Sequence, residues 1–249
     1  MGEPGEFDDD YNFRDDTPAG QDPDRRSRTL RQYHRLLWSK PLPDGRPFQL
    51  HAGRAFSPYL VYEADGTSFV LGSDAITSSY TRWSRRKSKS LADAITALDE
   101  DQRSRYLNPP YTIGSAMIWP VRTKDRPTMN TARGLRLSIA DRMDLTLECI
   151  RRHYEGEPES PLADVITAYA DFFALFGGFR EFVDFFHFQD LVTPDYDEVR
   201  FYLPFDDFTR SGTPTTTEEY VTYREATLEF IEGRKRRMAE WVMKHHPRD

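Results

Sequence analysis

The sequence predicts an α+β fold in which a small, mostly antiparallel sheet packs against several helices, with a helix-rich second half. Short runs rich in β-branched and aromatic residues occupy the first half of the chain, and apolar residues at helical spacing dominate from residue 138 onward. Aromatic residues make up 14% of the chain, against 38% hydrophobic residues in all. Because each buried ring removes a large area from water, we expect a core built mainly from rings.

The acidic start of the chain differs in composition from the rest of the molecule. Residues 1–24 contain nine acidic residues and one arginine, which predicts an acidic extended arm or loop. Residues 25–249 are expected to form a single α+β domain. A helix is predicted over 27–39, and it ends there because Pro41 and Pro43 follow. Strands are predicted at 47–51, 58–63 and 67–72, and the Asp65-Gly66 pair between the last two indicates a hairpin turn because both residues accommodate positive φ.

The remaining elements are predicted from periodicity and from helix start and stop signals. Residues 84–90 (SRRKSKS) are expected to form a basic loop. Helices are predicted at 90–104, 138–155, from Ser160-Pro161 to Gly177-Gly178, 179–192 and 217–246. Strands are predicted at 111–121 and 198–204. The last of these is expected to rejoin the sheet, which favours one domain over two.

Composition excludes several classes of protein. The chain has no run of about 18 apolar residues, so no membrane span is expected. Its start lacks the basic and apolar regions of a signal peptide. A lone cysteine, Cys149, excludes a disulfide framework or a cysteine-rich zinc module. Together these features predict a soluble cytoplasmic protein.

The net charge of −7 conceals a strong polarity along the chain. Residues 25–54 contain eight basic residues and one acidic residue, whereas residues 153–209 contain two basic and thirteen acidic residues. A basic segment can bind a partner of opposite charge even when the whole chain is negative. The net charge of −7 therefore does not exclude phosphate-bearing ligands. The acidic segments could also serve as docking sites for a protein partner.

The densest group of polar residues lies in TMNTARGLRLSIADRMDLTLECIRRHY, residues 128–154. Donor side chains precede a predicted helix whose polar face carries acids and arginines, and a helix N-terminus with arginines beside it suits phosphate. The predicted substrate-binding residues are Asn130, Arg133, Arg142, Arg151 and Arg152. The predicted catalytic residues are Asp141, Asp144 and Glu148, as general acids, bases or metal ligands. No metal ligand set is assigned, and a divalent metal stays open as a cofactor.

These residues lead to two competing hypotheses. The first is an enzyme that acts on a nucleotide or on nucleic acid. The second treats the same helix face as a solvated surface with ion pairs between residues three or four apart, and the protein as a non-enzymatic binding or accessory protein, for example in phage defence or a toxin system. Phosphate-binding loops, dinucleotide fingerprints and metalloprotease or hydrolase motifs are absent from the sequence.

Several segments resemble a family of bacterial proteins of unknown function found in actinobacteria and elsewhere. The segments are YNFRDDTPAGQDPD, WSKPLP, FVLGSDAI, IADRMDLTLECIRRHYEGEPESPL, FVDFFHFQDLV and FYLPFDDF. The resemblance covers nearly the whole chain and implies one continuous domain. It implies no activity, and no catalytic residue is carried over from it.

Three further functions stay open. Arg180, Asp184 and His187 lie at helical spacing, and the Arg–His pair resembles the helical ribonucleases. Residues 33–83 have the pattern of short strands that surrounds the nicotinamide cleft of ADP-ribosyltransferases, which is an argument by analogy alone. Residues 25–35 and 82–89 interleave basic residues with Tyr33 and Trp83, a mixture that suits single-stranded nucleic acid.

Overall fold

The structure is a computed structural model that describes residues 7–53, 57–80, 88–121, 127–157 and 159–246. Its four strands are β1 (Leu50–Ala52), β2 (Leu60–Ala64), β3 (Thr67–Ala75) and β4 (Ala116–Pro120). They form one antiparallel sheet in the order β1-β2-β3-β4. The predicted turn joins β2 to β3, with Asp65 and Gly66 both at positive φ. The predicted small antiparallel sheet is confirmed.

Ten α-helices surround the sheet in the described part of the chain. They are α1 (Pro23–Arg26), α2 (Arg28–Trp38), α3 (Lys89–Thr96), α4 (Glu100–Leu107), α5 (Met129–Leu135), α6 (Met143–Tyr154), α7 (Ala163–Ala168), α8 (Ala170–Ala174), α9 (Phe179–Phe185) and α10 (Thr217–His245). Two 3₁₀ turns, Ile113–Ser115 and Gln189–Leu191, complete the fold. None of the described helices is long and apolar enough to cross a membrane.

The long helix α10 organises the second half of the molecule. It contacts α2, α3 and both 3₁₀ turns. The backbone of the first turn approaches it so closely at Gly114 that a Cβ there would overlap the carbonyl oxygen of Ile231. Arg234 of α10 donates to the carbonyls of Gly114 (2.8 Å), Ala116 (2.8 Å) and Phe186 (3.0 Å). The buried side chain of Arg234 therefore joins α10 to the start of β4 and to the backbone at Phe186.

The core is built from rings, as the composition predicts. Phe176 and Phe182 pack edge to face at 5.4 Å between ring centroids, and Phe186 lies 5.0 Å from Phe182. Trp38 of α2 packs edge to face on Phe186 at 5.3 Å. These geometries are the ones that aromatic pairs favour, and they fix the second half of the chain against α2.

Several of the predicted helices are shorter or divided. The helix predicted at 90–104 is two helices, because Asp99 forms a capping box with Gln102 and starts α4 anew. The segment predicted from Ser160 to Gly178 is divided between α7 and α8 at Tyr169. The segment predicted at 179–192 stops at Phe185, and His187 then has a φ of 58°, which a continuous helix does not allow.

The prediction of a late strand is wrong. Residues 198–204 form only an isolated bridge between Val199 and Val192, and they do not join the sheet. The backbone N–H of Tyr202 donates instead to the carboxylate of Asp144. The chain there is held by a side chain rather than by a neighbouring strand.

The acidic arm is an integral part of the fold over residues 7–24. Phe13 is fully buried and packs edge to face on Tyr33 of α2 at 5.5 Å. Its backbone N–H donates to the carbonyl of Tyr111 at 3.0 Å. Asp16 accepts hydrogen bonds from the backbone N–H groups of Arg28 (2.9 Å) and Thr29 (3.0 Å) at the start of α2. The arm therefore lies along α2 and caps its first turn.

Candidate functional site

The predicted site residues of segment 128–154 lie in three separate clusters. The first surrounds Arg133, which is fully buried. Its guanidinium donates to Asp74 Oδ2 (2.5 Å), Thr146 Oγ1 (3.0 Å) and the carbonyl of Ile76 (3.0 Å). Asn130 donates to the other oxygen of Asp74 at 2.5 Å. Burial raises the pKa of Asp74 well above its usual range, and Arg133 opposes this effect.

The second cluster lies at the N-terminus of α6. The guanidinium of Arg142 forms a two-pronged pair with Asp144, with Nε 3.0 Å from Oδ1, and donates to the carbonyl of Gly212 at 3.1 Å. Asp144 also accepts from the N–H of Tyr202 at 2.9 Å. The N-terminus of a helix favours negative charge, and Asp144 supplies it in the first turn of α6.

The third cluster lies one turn further along α6. Glu148 accepts from Arg151 Nε at 2.8 Å and from Arg152 Nε at 2.8 Å. Arg151 also pairs with Glu155, and Arg152 with Asp207. Each arginine in this cluster therefore has two carboxylate partners, as in the hypothesis of an ion-paired helix face.

The structure does not bring Arg133, Glu148 and Arg152 into one pocket. Their charged groups are occupied by partners within the protein, and Glu148 is 4% exposed. The face predicted to be solvated is thus mostly buried. The roles proposed for these residues in binding and catalysis stay predictions. Asp74 was missed by sequence reasoning, although an acid at the end of the apolar run SFVLG is a signal that a buried partner is needed.

Asp141 differs from the other predicted catalytic residues because it lines a cavity. This polar cavity has a volume of about 580 Å³ and is bounded by residues 17–23 of the arm, residues 77–79 after β3, and Asp141. The Asp141 carboxylate lies 3.4 Å from Arg133 Nη2, and its backbone φ is 57°. Burial raises its pKa, and Arg133 opposes this effect. Among the predicted catalytic residues, Asp141 thus combines a raised pKa with a position at the edge of a cavity.

The pair that resembles the helical ribonucleases does not form a site. Arg180 lies over the ring of Tyr196, 4.3 Å from its centroid. His187 is buried with Nε2 3.4 Å from Lys40 Nζ. Burial, assisted by the charge of Lys40, lowers the pKa of His187 to about 2. His187 is therefore enclosed within the protein beside Lys40.

A concave, basic surface, here called the arginine groove, has a volume of about 880 Å³. One wall is formed by α1 and α2, and the other by the end of β1 and the start of β2. The arginines that line it are Arg25, Arg26, Arg28, Arg31 and Arg35. The opposite wall contains Ala52, Gly53, Ser57, Tyr59 and Leu60. Asp16 and Pro18 of the arm close one side.

None of the five groove arginines forms an ion pair with an acidic residue of the described structure, unlike Arg133, Arg142, Arg151 and Arg152. Arg31 donates to the carbonyl of Arg25 at 3.2 Å. Burial lowers the pKa of Arg31, the charge of Asp16 opposes this effect, and the charge of Arg28 adds to it. Four of the five arginines are exposed. The groove therefore concentrates uncompensated positive charge around a concave surface.

The sequence identifies the basic stretch 25–35 but not its aromatic neighbour. Tyr33 is buried against Phe7 and Phe13, so it does not face the groove. Tyr59, which directly precedes β2, is the aromatic residue that borders the groove, and its ring lies against Gly72 of β3. The second predicted basic stretch, 82–89 with Trp83, lies almost wholly outside the described residues.

The sequence was compared with models of known protein families. The model of a family of unknown function, DUF6994, matches residues 7–238. The chain belongs to DUF6994. No curated protein and no solved structure matches it significantly. The DUF6994 match includes residues 7–24 of the arm, the described residues of the arginine groove and the polar cavity, and it ends within α10.

Proposed function

We propose that this protein binds a phosphate-bearing nucleic-acid ligand in the arginine groove. The observation that carries the proposal is the set of five arginines without carboxylate partners around one concave surface. Guanidinium groups bind phosphate oxygens two at a time, and positive charge that is concentrated in a cleft attracts polyanions at long range. Arg28, Arg31 and Arg35 share one face of α2 and span about 10 Å along its axis.

The guanidinium groups, rather than the helix N-terminus, supply the attraction. Asp16 accepts from the N–H groups of Arg28 and Thr29, and Ser27 Oγ accepts from the N–H of Leu30 at 2.9 Å. Because these donors are already occupied, an anion in the groove would contact side chains. Affinity should therefore depend on arginine number and on salt.

The test is fluorescence anisotropy with a labelled oligothymidylate over a range of salt concentrations. The double variant Arg28→Ala/Arg35→Ala is expected to bind more weakly, and its slope of log affinity against log salt should fall by about 1.4, since each phosphate contact on a single strand contributes about 0.7. Arg105→Ala is the matched control, because this exposed arginine pairs with Glu225 away from the groove.

Two results would contradict the proposal. The first is an unchanged affinity in the double variant. The second is competition by polyglutamate at least as strong as competition by unlabelled oligothymidylate. The latter result would identify the groove as a docking surface for an acidic protein segment and would favour an accessory protein.

A second candidate function is acid–base catalysis on the same class of ligand, and the position of Asp141 favours it. Its carboxyl group lines the polar cavity, and the arm residue Pro18 borders both this cavity and the arginine groove. As a general base, the carboxylate would accept a proton from an attacking water or hydroxyl group. Asp141→Asn is expected to abolish turnover of nucleotides or oligonucleotides without weakening their binding. If the parent protein releases no product from nucleotides or from oligonucleotides, this function is excluded.

A further inference from the structure

We propose that the polar cavity beside Asp141 receives the terminal, hydroxyl-bearing nucleoside of a nucleic-acid strand whose phosphates lie in the arginine groove. This inference rests on the proposed function and deepens it, because it makes the end of a strand, rather than its interior, the preferred ligand. It also gives the cavity a binding role that does not depend on catalysis.

The cavity and the arginine groove are separated by a thin partition. The partition consists of the arm around the exposed residue Pro18, which borders both concave surfaces, and of α1. Pro23, the first residue of α1, lines the cavity, whereas Arg25 and Arg26 of the same helix line the groove. Because a helix with its side chains is about 10–12 Å in diameter, a ligand needs to extend only about that far to reach from one site to the other. One ligand molecule can therefore occupy both.

The residues that line the two sites differ in charge. The groove is lined by five arginines and one acidic residue, Asp16. The cavity is lined by two acidic residues, Asp22 and Asp141, and by one arginine, Arg14. The guanidinium of Arg14 donates to the carbonyl of Pro109 at 2.5 Å. A phosphate in the cavity would meet more negative than positive groups, so the part of the ligand that enters is not a phosphate.

Further carboxyl groups lie behind the cavity lining. Burial raises the pKa of Asp24 to about 6, and the charge of Asp22 acts in the same direction. Burial also raises the pKa of Asp74; Arg133 opposes this effect, and Asp141 adds to it. An ionised carboxyl group accepts hydrogen bonds from hydroxyl groups, and a protonated one also donates. The cavity is therefore suited to hydroxyl groups in either protonation state.

The remainder of the cavity lining is mainly neutral and polar. The hydroxyl and amide side chains among the lining residues are those of Thr17, Gln21, Thr77, Ser78, Ser79 and Asn108. Gln21 and Asn108 are exposed and thus accessible to a ligand. The cavity volume of about 580 Å³ lies in the range of sites that enclose small molecules. The hydroxyl groups of a sugar and the polar edges of a base match such a lining.

The same lining distinguishes the end of a strand from its interior. An internal nucleoside has a phosphate on both sides, so enclosing it would bring a phosphate against the carboxyl groups of the cavity. A terminal nucleoside with a free hydroxyl group has a phosphate on one side only. It can direct that phosphate across the partition towards the arginines while its sugar and base lie in the cavity. The two sites together therefore favour a strand end that carries no terminal phosphate.

The experiment measures the affinity of the full-length protein by anisotropy for three oligothymidylates of equal length, each labelled on an internal base. The first is linear with hydroxyl groups at both ends, the second is the same strand phosphorylated at both ends, and the third is a circle. The hydroxyl-ended strand is expected to bind about tenfold more tightly than the other two, which corresponds to the loss of one or two hydrogen bonds.

A charge-removing variant tests the role of the cavity lining. Asp22→Asn keeps a side chain that can cap α1 but removes one negative charge. It should raise the affinity for the phosphorylated strand relative to that for the circle. Asp15→Asn is the matched control, because Asp15 is an exposed acidic residue of the arm that lines neither site. It should leave the ratio of the two affinities unchanged.

The outcomes separate this inference from the proposed function. If all three strands bind equally to the parent while Arg28→Ala/Arg35→Ala binds all of them weakly, the cavity takes no strand end and the groove function stands. If the double variant binds all three like the parent, the proposed function itself fails. Tighter binding of the phosphorylated strand than of the hydroxyl-ended strand would overturn the inference, as would an equal effect of Asp22→Asn and Asp15→Asn. A thermal melt of each variant verifies that it folds.

Discussion

At the scale of single residues, buried charge dominates this structure. Arg133 and Asp144 are fully buried, and each is surrounded by hydrogen-bond partners. An unpaired buried charge is very costly, whereas a fully paired one is tolerated. The side chains that sequence reasoning selected for chemistry are thus positioned to join elements: Arg133 connects α5 to β3, and Asp144 connects α6 to residue 202.

We expect Arg133→Ala to reduce the free energy of unfolding by about 3 kcal/mol, because it leaves Asp74 buried without its cation. Urea denaturation at neutral pH measures this change. Arg46→Ala is the control, since Arg46 pairs with Asp44 on the surface, where solvent screens the pair, and its loss should change stability little. A loss at Arg133 as small as that at Arg46 would show that the buried pair contributes little to the fold.

Asp24 should give the protein a characteristic pH dependence. Its Oδ1 accepts from Ser73 Oγ (2.6 Å) and Tyr111 OH (2.7 Å), and burial raises its pKa to about 6. The folded state therefore holds this proton more tightly than the unfolded chain, where the pKa of an aspartate is about 3.9. Stability from this group is present below about pH 4 and is lost as the pH rises to about 6.

Asp24→Asn is expected to remove this contribution, because an amide oxygen accepts the same two hydrogen bonds without titrating. The measurement is the difference in unfolding free energy between parent and variant at several pH values from about 4 to about 7. The parent should lose stability relative to the variant as the pH rises. A difference that is constant over this range would contradict the raised pKa.

At the scale of elements, the ends of helices account for most departures from the expected fold. Apolar periodicity predicts that a helix exists, but residues at its ends decide its length. The capping box of Asp99 divides one predicted helix, and the positive φ of Ala140 and Asp141 delays the start of α6 to Met143. The same local geometry directs Asp141 into the polar cavity.

The cap that the arm provides to α2 can be tested on its own. Asp16→Ala removes the acceptor for the N–H groups of Arg28 and Thr29, and we expect a loss of about 1 kcal/mol in unfolding free energy. Asp15→Ala, at an exposed neighbouring position, should change stability by less than about 0.5 kcal/mol. Because Asp16 is the acidic residue among those lining the groove, its removal should not weaken oligothymidylate binding. Weaker binding would mean that Asp16 positions the groove arginines.

At the scale of the whole molecule, the charge polarity of the sequence becomes a spatial separation. The acidic arm does not cover the basic stretch 25–35, because its rings anchor it on the other side of α2. The arm contributes only Asp16 and Pro18 to the rim of the arginine groove. The groove is left open to a ligand, and the arm stabilises the helix that carries its arginines.

The arm should therefore be essential for the stability of the whole domain. Phe13→Ala is expected to reduce the free energy of unfolding by about 3–5 kcal/mol, because a fully buried ring is lost. Phe7→Ala, at a partly buried position on the same arm, should cost less. Thermal or urea unfolding measures both. Equal and small losses would show that the arm is a detachable segment.

The sequence by itself determined the fold class, the aromatic core, the β2–β3 hairpin, α2 and α10, because each depends on local periodicity or turn chemistry. The basic stretch 25–35 was also visible as composition. Only the tertiary structure decided which charges are neutralised. Arg133 meets Asp74 from 59 residues away, and the groove arginines of α1 and α2 lie beside the end of β1 and the start of β2. Spacing along a chain reports neighbours within a helix or strand, whereas a site is made by contacts between elements, and those contacts depend on packing of the whole molecule.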